Sequence, residues 1–154
     1  MLAKGLLVNL SASEEKRRWA DAKFVEVLKR IRAIAPWLPI VVIGLPAEWE
    51  RVKQVAGVVN ALAVQTPQLR EALAMVGTSD MVFTPDTSIS HAASAFRKPA
   101  VVLLKKEHHP YAPYNIPGEN IYWTGSEIKS LPAETVGAAV EKLVRQYGRA
   151  AESV

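Results

Sequence analysis

Apolar runs of strand length alternate along this chain with amphipathic stretches of helix length. Gly5–Leu10 reads as a first strand. Trp19–Ala35 then places Phe24, Val27, Leu28, Ile31 and Ile34 at the three-and-four spacing of a helix. Pro36 and Pro39 end that helix and lead into a second strand, Ile40–Ile43, closed by Gly44. Ala47–Ala56 reads as the next helix and Val59–Val64 as a third strand. Thr66 followed by Pro67 suits a cap and a proline at the first helical position, opening a helix through about Val76. Met81–Thr84 is expected as the fourth strand, Asp86–Phe96 as a helix and Pro99–Leu104 as the fifth strand. A loop rich in Pro, Tyr and His comes next, then a short apolar run, Ile121–Trp123. A last helix spans about Ala133 to Tyr147.

Strands that are apolar throughout and separated by helices predict a parallel sheet covered on both faces. The expected fold is α/β, a single Rossmann-like doubly wound sheet of about six strands over residues 1–148, with 149–154 as a frayed tail. Ligands of such folds sit beyond the carboxyl ends of the strands, near the point where strand order reverses. Ser11–Arg18, Gly44–Glu48, Gln65–Thr66, Thr84–His91 and Lys105–Asn115 all follow strands, so all are expected on that one edge.

Composition narrows the function classes. A chain of 154 residues fits one domain, and 49% hydrophobic with 22% charged residues is ordinary for a soluble globular protein. The absence of Cys excludes disulfides, thiolate metal sites and a Cys nucleophile. Met1–Leu10 is too short and too quickly polar for a signal peptide, and no apolar run approaches the ~20 residues of a membrane span. A net charge of +4 and a pI near 9.4 favour anionic ligands. The basic residues are spread along helices without a dense tract, so nucleic acid is not expected as a partner.

Thr84–His91 is the most informative stretch. A strand-to-helix turn presents unpaired N–H groups and the positive end of a helix dipole, which together suit a phosphate. Asp86 would repel that anion, so it is expected to cap the helix or orient a hydroxyl, leaving Thr87 and Ser88 to meet the phosphate. The plainer alternative is an N-cap with nothing bound. Ser11, Ser13 and the cations Lys16, Arg17 and Arg18 suit a diphosphate, although Glu14 and Glu15 could simply balance them on a solvated helix entry. Glu48 suits the hydroxyls of a ribose, or else a favourable charge in a helix's first turn. His91 could reach a phosphate or sugar hydroxyl, or pack against backbone. Tyr111 and Tyr114 could wall a sugar or acceptor. His108 and His109 have no carboxylate beside them and make a poor metal site, so neither metal nor cofactor is expected. There is no G-x-S-x-G or Walker A motif, and no G-x-G-x-x-G after the first strand.

Leu7–Ser13, the basic residues before Trp19, Gly44–Glu48 and above all Thr84–His91 with the following Lys98-Pro99 resemble glycosyltransferase family 9. That family includes the ADP-heptose:lipopolysaccharide heptosyltransferases, and the resemblance runs in order from about Leu6 to Leu143. It implies one half of a GT-B enzyme, the C-terminal domain that binds the donor, an ADP-heptose-like nucleotide-diphosphate sugar. Ser11, Ser13 and Arg17 would approach the diphosphate, with Trp19 setting the register. Glu48 would hold the ribose, and Thr66 and Pro67 would lie near the base. Asp86, Thr87, Ser88 and His91 would form the diphosphate and sugar end. The catalytic base and acceptor site would belong to an N-terminal domain missing from this chain, so the chain alone is expected to bind nucleotide weakly and transfer nothing. The resemblance also implies lipopolysaccharide or related glycan synthesis in the cytoplasm, with peripheral attachment to the inner membrane. An uncovered domain-docking surface would favour a homodimer.

The chain departs from the family at Ala20, where a proline usually follows the Trp, and at Lys105–His109, where a Gly-Pro-Thr-like loop is common. Two other readings keep the same fold: a non-catalytic nucleotide-binding or assembly module, and a nucleotide-sugar epimerase-like half-domain.

Overall fold

A computed structural model describes residues 4–12, 17–105, 117–123 and 128–148. Ser13, the loop carrying His108, His109, Tyr111 and Tyr114, and the expected tail at 149–154 lie outside the described residues. Six strands form the sheet: β1 (Leu6–Asn9), β2 (Ile40–Ile43), β3 (Leu62–Ala63), β4 (Met81–Pro85), β5 (Ala100–Lys105) and β6 (Gly118–Trp123). Helices α1 (Asp21–Ile34), α2 (Trp49–Val58), α3 (Leu69–Thr78), α4 (Ser88–Ala95) and α5 (Ala133–Tyr147) connect and follow them. Every strand pair is parallel, in the order β3-β2-β1-β4-β5-β6, with Leu6 of β1 in register with both Ile40 and Met81. This is the doubly wound α/β architecture the alternation predicts.

Period-two alternation along each strand sorts the apolar side chains into two layers. Leu6, Val8, Val42, Phe83, Val101 and Leu103 point to one face, where Phe24, Val27, Leu28 and Ile31 of α1 and Val136, Val140, Leu143 and Val144 of α5 cover them. Leu7, Val41, Ile43, Val82, Val102 and Leu104 point to the other, under Ala72, Met75 and Val76 of α3 and Ile89, Ala92 and Ala93 of α4. Trp19 is buried in the first layer, edge-on to Phe24 at 5.1 Å and to Phe83 at 6.2 Å, and its indole N–H donates to Leu131 O at 3.1 Å. That anchor fixes where the connection from β1 enters α1.

Several boundaries differ from the expectation for local reasons. β3 is two residues long because α2 runs on to Val58, and Val59 and Asn60 form the turn, with Asn60 left-handed at φ 53°. The helix after Thr66-Pro67 starts at Leu69, with Gln68 in the capping position, so Thr66 and Pro67 belong to the preceding loop. Pro46–Glu48 is a short 3-10 turn ahead of α2. At the edge of the sheet away from the strand ends, Arg32 donates to the carbonyls of Val59, Pro36, Leu38 and Asn60. Burial lowers its pKa, and those carbonyls supply acceptors in place of water.

Candidate functional site

Strand order reverses between β1 and β4: the chain leaves β1 toward α1 on one face and leaves β4 toward α4 on the other. The diverging connections open a cavity of about 320 Å³ at the carboxyl ends of the strands. Asn9, Ser11, Thr87 and Ser88 supply its polar atoms, with Thr66 on the far wall. Ile43, Leu45, Pro46, Pro67, Leu69 and Ile89 make the rest apolar. Among the described residues no charged side chain lines it.

Asn9 holds the floor together. Its Nδ2 lies 3.1 Å from Thr84 Oγ1, 3.3 Å from Thr87 Oγ1 and 3.3 Å from Ser11 O, and its Oδ1 accepts from Ser11 N at 3.2 Å. Thr84, fully buried, turns its own proton to Pro85 O at 2.8 Å. Asn9 therefore ties the end of β1 to the end of β4 across the reversal, a role absent from the sequence expectation. An amide at the end of the otherwise apolar run Leu6–Val8 was the available signal, since a buried polar group demands partners.

Ser11 is also buried, and its Oγ accepts from Leu45 N at 2.7 Å. Gly44 makes this approach feasible: a Cβ there would lie 3.0 Å from Ser11 Oγ and 2.7 Å from Val52 Cγ2. Among the described residues the Ser11 hydroxyl proton keeps no acceptor.

The start of α4 corrects one expectation. Thr87, not Asp86, caps the helix: its Oγ1 accepts from Ile89 N at 3.1 Å, and Ser90 Oγ accepts from Thr87 N at 3.3 Å in a reciprocal capping box. Asp86 fills the other role expected of it, since Ser90 Oγ lies 3.2 Å from Asp86 Oδ1, although Thr87 O is a nearer acceptor at 2.7 Å. The cap leaves the Ser88 N–H without a partner among the described residues, at a helix N-terminus facing the cavity. His91 is on the exposed side of α4, with Nε2 4.0 Å from Asp86 Oδ1.

The remaining candidates lie around this cavity. Arg17 and Asp86 line a small neighbouring cleft together with Lys105 and Trp123. Glu48 does not line the cavity, although Pro46 of the same turn does. Its carboxylate is paired through Oε2 with Arg51 and, at 3.4 Å, with Arg18. Arg51 had no place in the sequence expectation, yet its spacing three residues after Glu48 on a helix start was readable. Among the described residues no group of three His, Cys, Asp or Glu side chains is placed to hold a metal ion, and no helix is long and apolar enough to cross a membrane.

Solved structures share this fold. E. coli heptosyltransferase WaaC with ADP matches with a TM-score of 0.71 at 19% identity, over 92% of this chain and 44% of that one. The family 9 glycosyl transferase from Veillonella parvula DSM 2008 matches with a TM-score of 0.71 at 19% identity, over 94% and 47%. E. coli ADP-heptose lps heptosyltransferase II gives 0.71 at 15% identity, over 94% and 47%. At such identities the likeness establishes the fold, one half of a GT-B arrangement, and this chain spans less than half the length of each. Among curated proteins, none matches the sequence. The sequence profile of Glycosyltransferase family 9 (heptosyltransferase) matches residues 3–130. With most of its length matched to that profile, the chain belongs to glycosyltransferase family 9, the heptosyltransferase family.

Proposed function

We propose that this domain binds the donor, a nucleotide-diphosphate sugar, for an inverting glycosyltransferase whose acceptor site and base lie on a second domain. One observation carries the reading: the cavity at the strand reversal joins an apolar slot to a polar floor at the start of α4. The slot walls, Leu45, Pro46, Pro67 and Leu69, suit a flat base, with Thr66 as its polar contact. The floor offers the Ser88 N–H and the hydroxyls of Ser11, Thr87 and Ser88 to a diphosphate. Glu48 is the ribose ligand in this reading, Arg17 joins Ser11 and Ser13 at the diphosphate, and Asp86 and His91 stand with Thr87 and Ser88 at the diphosphate and sugar end.

The chemistry follows from the placement. A base on the other domain takes the proton from an acceptor hydroxyl, whose oxygen attacks the anomeric carbon as the bond to the diphosphate breaks. Negative charge grows on the leaving diphosphate. The Ser88 N–H and the Arg17 guanidinium stabilise it as fixed groups that need no reorganisation. Such an enzyme would act in lipopolysaccharide or related glycan synthesis, in the cytoplasm and against the inner membrane face.

The test is calorimetric titration with ADP, UDP and GDP, repeated on Asp86→Ala and Arg17→Ala. Saturable binding of one diphosphate, weakened roughly tenfold by Arg17→Ala (~1.4 kcal/mol for a charge-assisted contact), supports the reading. A folded domain that binds none of them, alone or with the second domain supplied, refutes it. Binding without any transfer when the second domain is supplied would point to the non-catalytic module instead.

A further inference from the structure

Arg51 commits all three guanidinium nitrogens to the frame of the cavity. It stands in the first turn of α2 with its side chain 12% exposed. Nε donates to Asp21 Oδ1 at the start of α1. Nη1 donates to Glu48 Oε2 and, at 3.2 Å, to Leu10 O, while Nη2 donates to Trp19 O at 3.3 Å. Leu10 and Trp19 are the two ends of the β1–α1 connection that carries Ser11 and Arg17. One planar cation thus holds the acidic residue beside the cavity together with Leu10 and Trp19 of the β1–α1 connection.

The partition of Glu48's oxygens matters most. Arg51 and Arg18 both contact Oε2, so Oε1 keeps no partner among the described residues. A carboxylate with one oxygen clamped and the other unpartnered, on a side chain 9% exposed, is an oriented acceptor. Arg51 and Arg18 together offset the charges of Glu48 and Asp21, so the carboxylate meets an approaching polyanion without net repulsion.

We propose that Arg51 is a positioning residue for nucleotide recognition: it clamps Glu48 through Oε2 so that Oε1 accepts from the ribose hydroxyls. The inference rests on the reading of Glu48 as the ribose ligand. Arg51 itself need not touch the nucleotide. Lysine cannot stand in for it, because a single ammonium cannot bridge Asp21, Glu48 and two carbonyls in one plane.

The test compares two ligands, ADP and 2′,3′-dideoxy-ADP, by heteronuclear NMR titration of the full chain, which reads weak affinities. A merely structural arginine would weaken both ligands alike; a positioning arginine alters their ratio. The unaltered protein is expected to prefer ADP about tenfold or more, as charge-assisted bonds to the hydroxyls require. Arg51→Met is expected to cut that preference to about twofold or less, and Arg51→Lys to fail to restore it. Should Arg51→Met not fold, Arg51→Lys, which keeps the charge, decides the question. A tenfold preference retained in a folded Arg51 variant overturns the inference while leaving the ribose role of Glu48 standing. An unaltered protein that binds ADP without preferring it over the dideoxy compound overturns both that role and the inference. A folded protein that binds neither ligand, alone or with the second domain supplied, overturns the donor-site reading itself.

Discussion

Replacing Asn9 by alanine tests whether the hydrogen bonds across the strand reversal shape both the fold and the cavity. Asn9 is 4% exposed and offers two N–H protons to three oxygens, while its Oδ1 accepts from Ser11 N. At most three good bonds are made at once. Their lengths of 3.1 to 3.3 Å put each toward the weak end of the usual range, about 0.5–1 kcal/mol net. Thr84 keeps its bond to Pro85 O after the substitution, but the buried Ser11 N–H loses its acceptor. Water entering from the adjoining cavity softens that loss. The expected cost of Asn9→Ala is about 2–3 kcal/mol, or roughly 5–10 °C in Tm for a domain of this size. Thermal and urea unfolding followed by circular dichroism measures it. ADP affinity should fall as well, because Ser11 and Thr87 both lose the group that orients them. A Tm within about 1 °C of the unaltered protein would refute the reasoning, since it would mean that these bonds are no better than bonds to water.

Gly44→Ala places a Cβ 2.7 Å from Val52 Cγ2 and 3.0 Å from Ser11 Oγ, so Val52 must shift and the Ser11–Leu45 tie is pushed out of its present geometry. Nucleotide affinity should drop severalfold with a destabilisation of about 1–3 kcal/mol, checked by titration and unfolding; unchanged binding would detach Ser11 from the site. On α5, Glu141 accepts from Arg30 Nε at 2.8 Å and from Arg145 Nε at 3.1 Å, bonds that hold its carboxyl below the usual glutamate range. A pKa depressed by folding contributes stability above the ordinary carboxylate pKa, and that stability is lost as pH falls through the folded value. Glu141→Gln should therefore flatten the acid side of a Tm-against-pH profile and leave its alkaline side parallel to the original; an identical acid limb would count against the pair.

How much of the site was legible depended on the distance over which each residue acts. Thr87 and Ser88 could be read locally, because a turn between an apolar strand and a helix start puts them beside free N–H groups whatever surrounds them. Asp86 was half legible: its partner Ser90 is four residues away, but the choice between Asp86 and Thr87 as cap depends on backbone angles, and Thr87 is extended at φ −148° and ψ −175°. Glu48 could be placed on the strand-end edge, whereas its pairing with Arg18 joins two loops distant in sequence. Asn9 and Arg51 escaped the reading altogether, since their value lies in contacts with Thr84, Thr87, Leu10 and Trp19 that only folding assembles.

The sequence by itself determined the layers. Apolar strands alternating with amphipathic helices have one economical packing, and loops after parallel strands must emerge at one edge. Order within the sheet, and with it the reversal between β1 and β4 that opens the cavity, was decided only by the tertiary structure. So was the division of the candidate residues between the cavity, the Arg17–Asp86 cleft and the Glu48 clamp. The reason is physical. Burial pattern depends on periodicity along a few neighbouring residues, whereas a hydrogen bond requires two atoms within about 3 Å, a coincidence that no local pattern encodes.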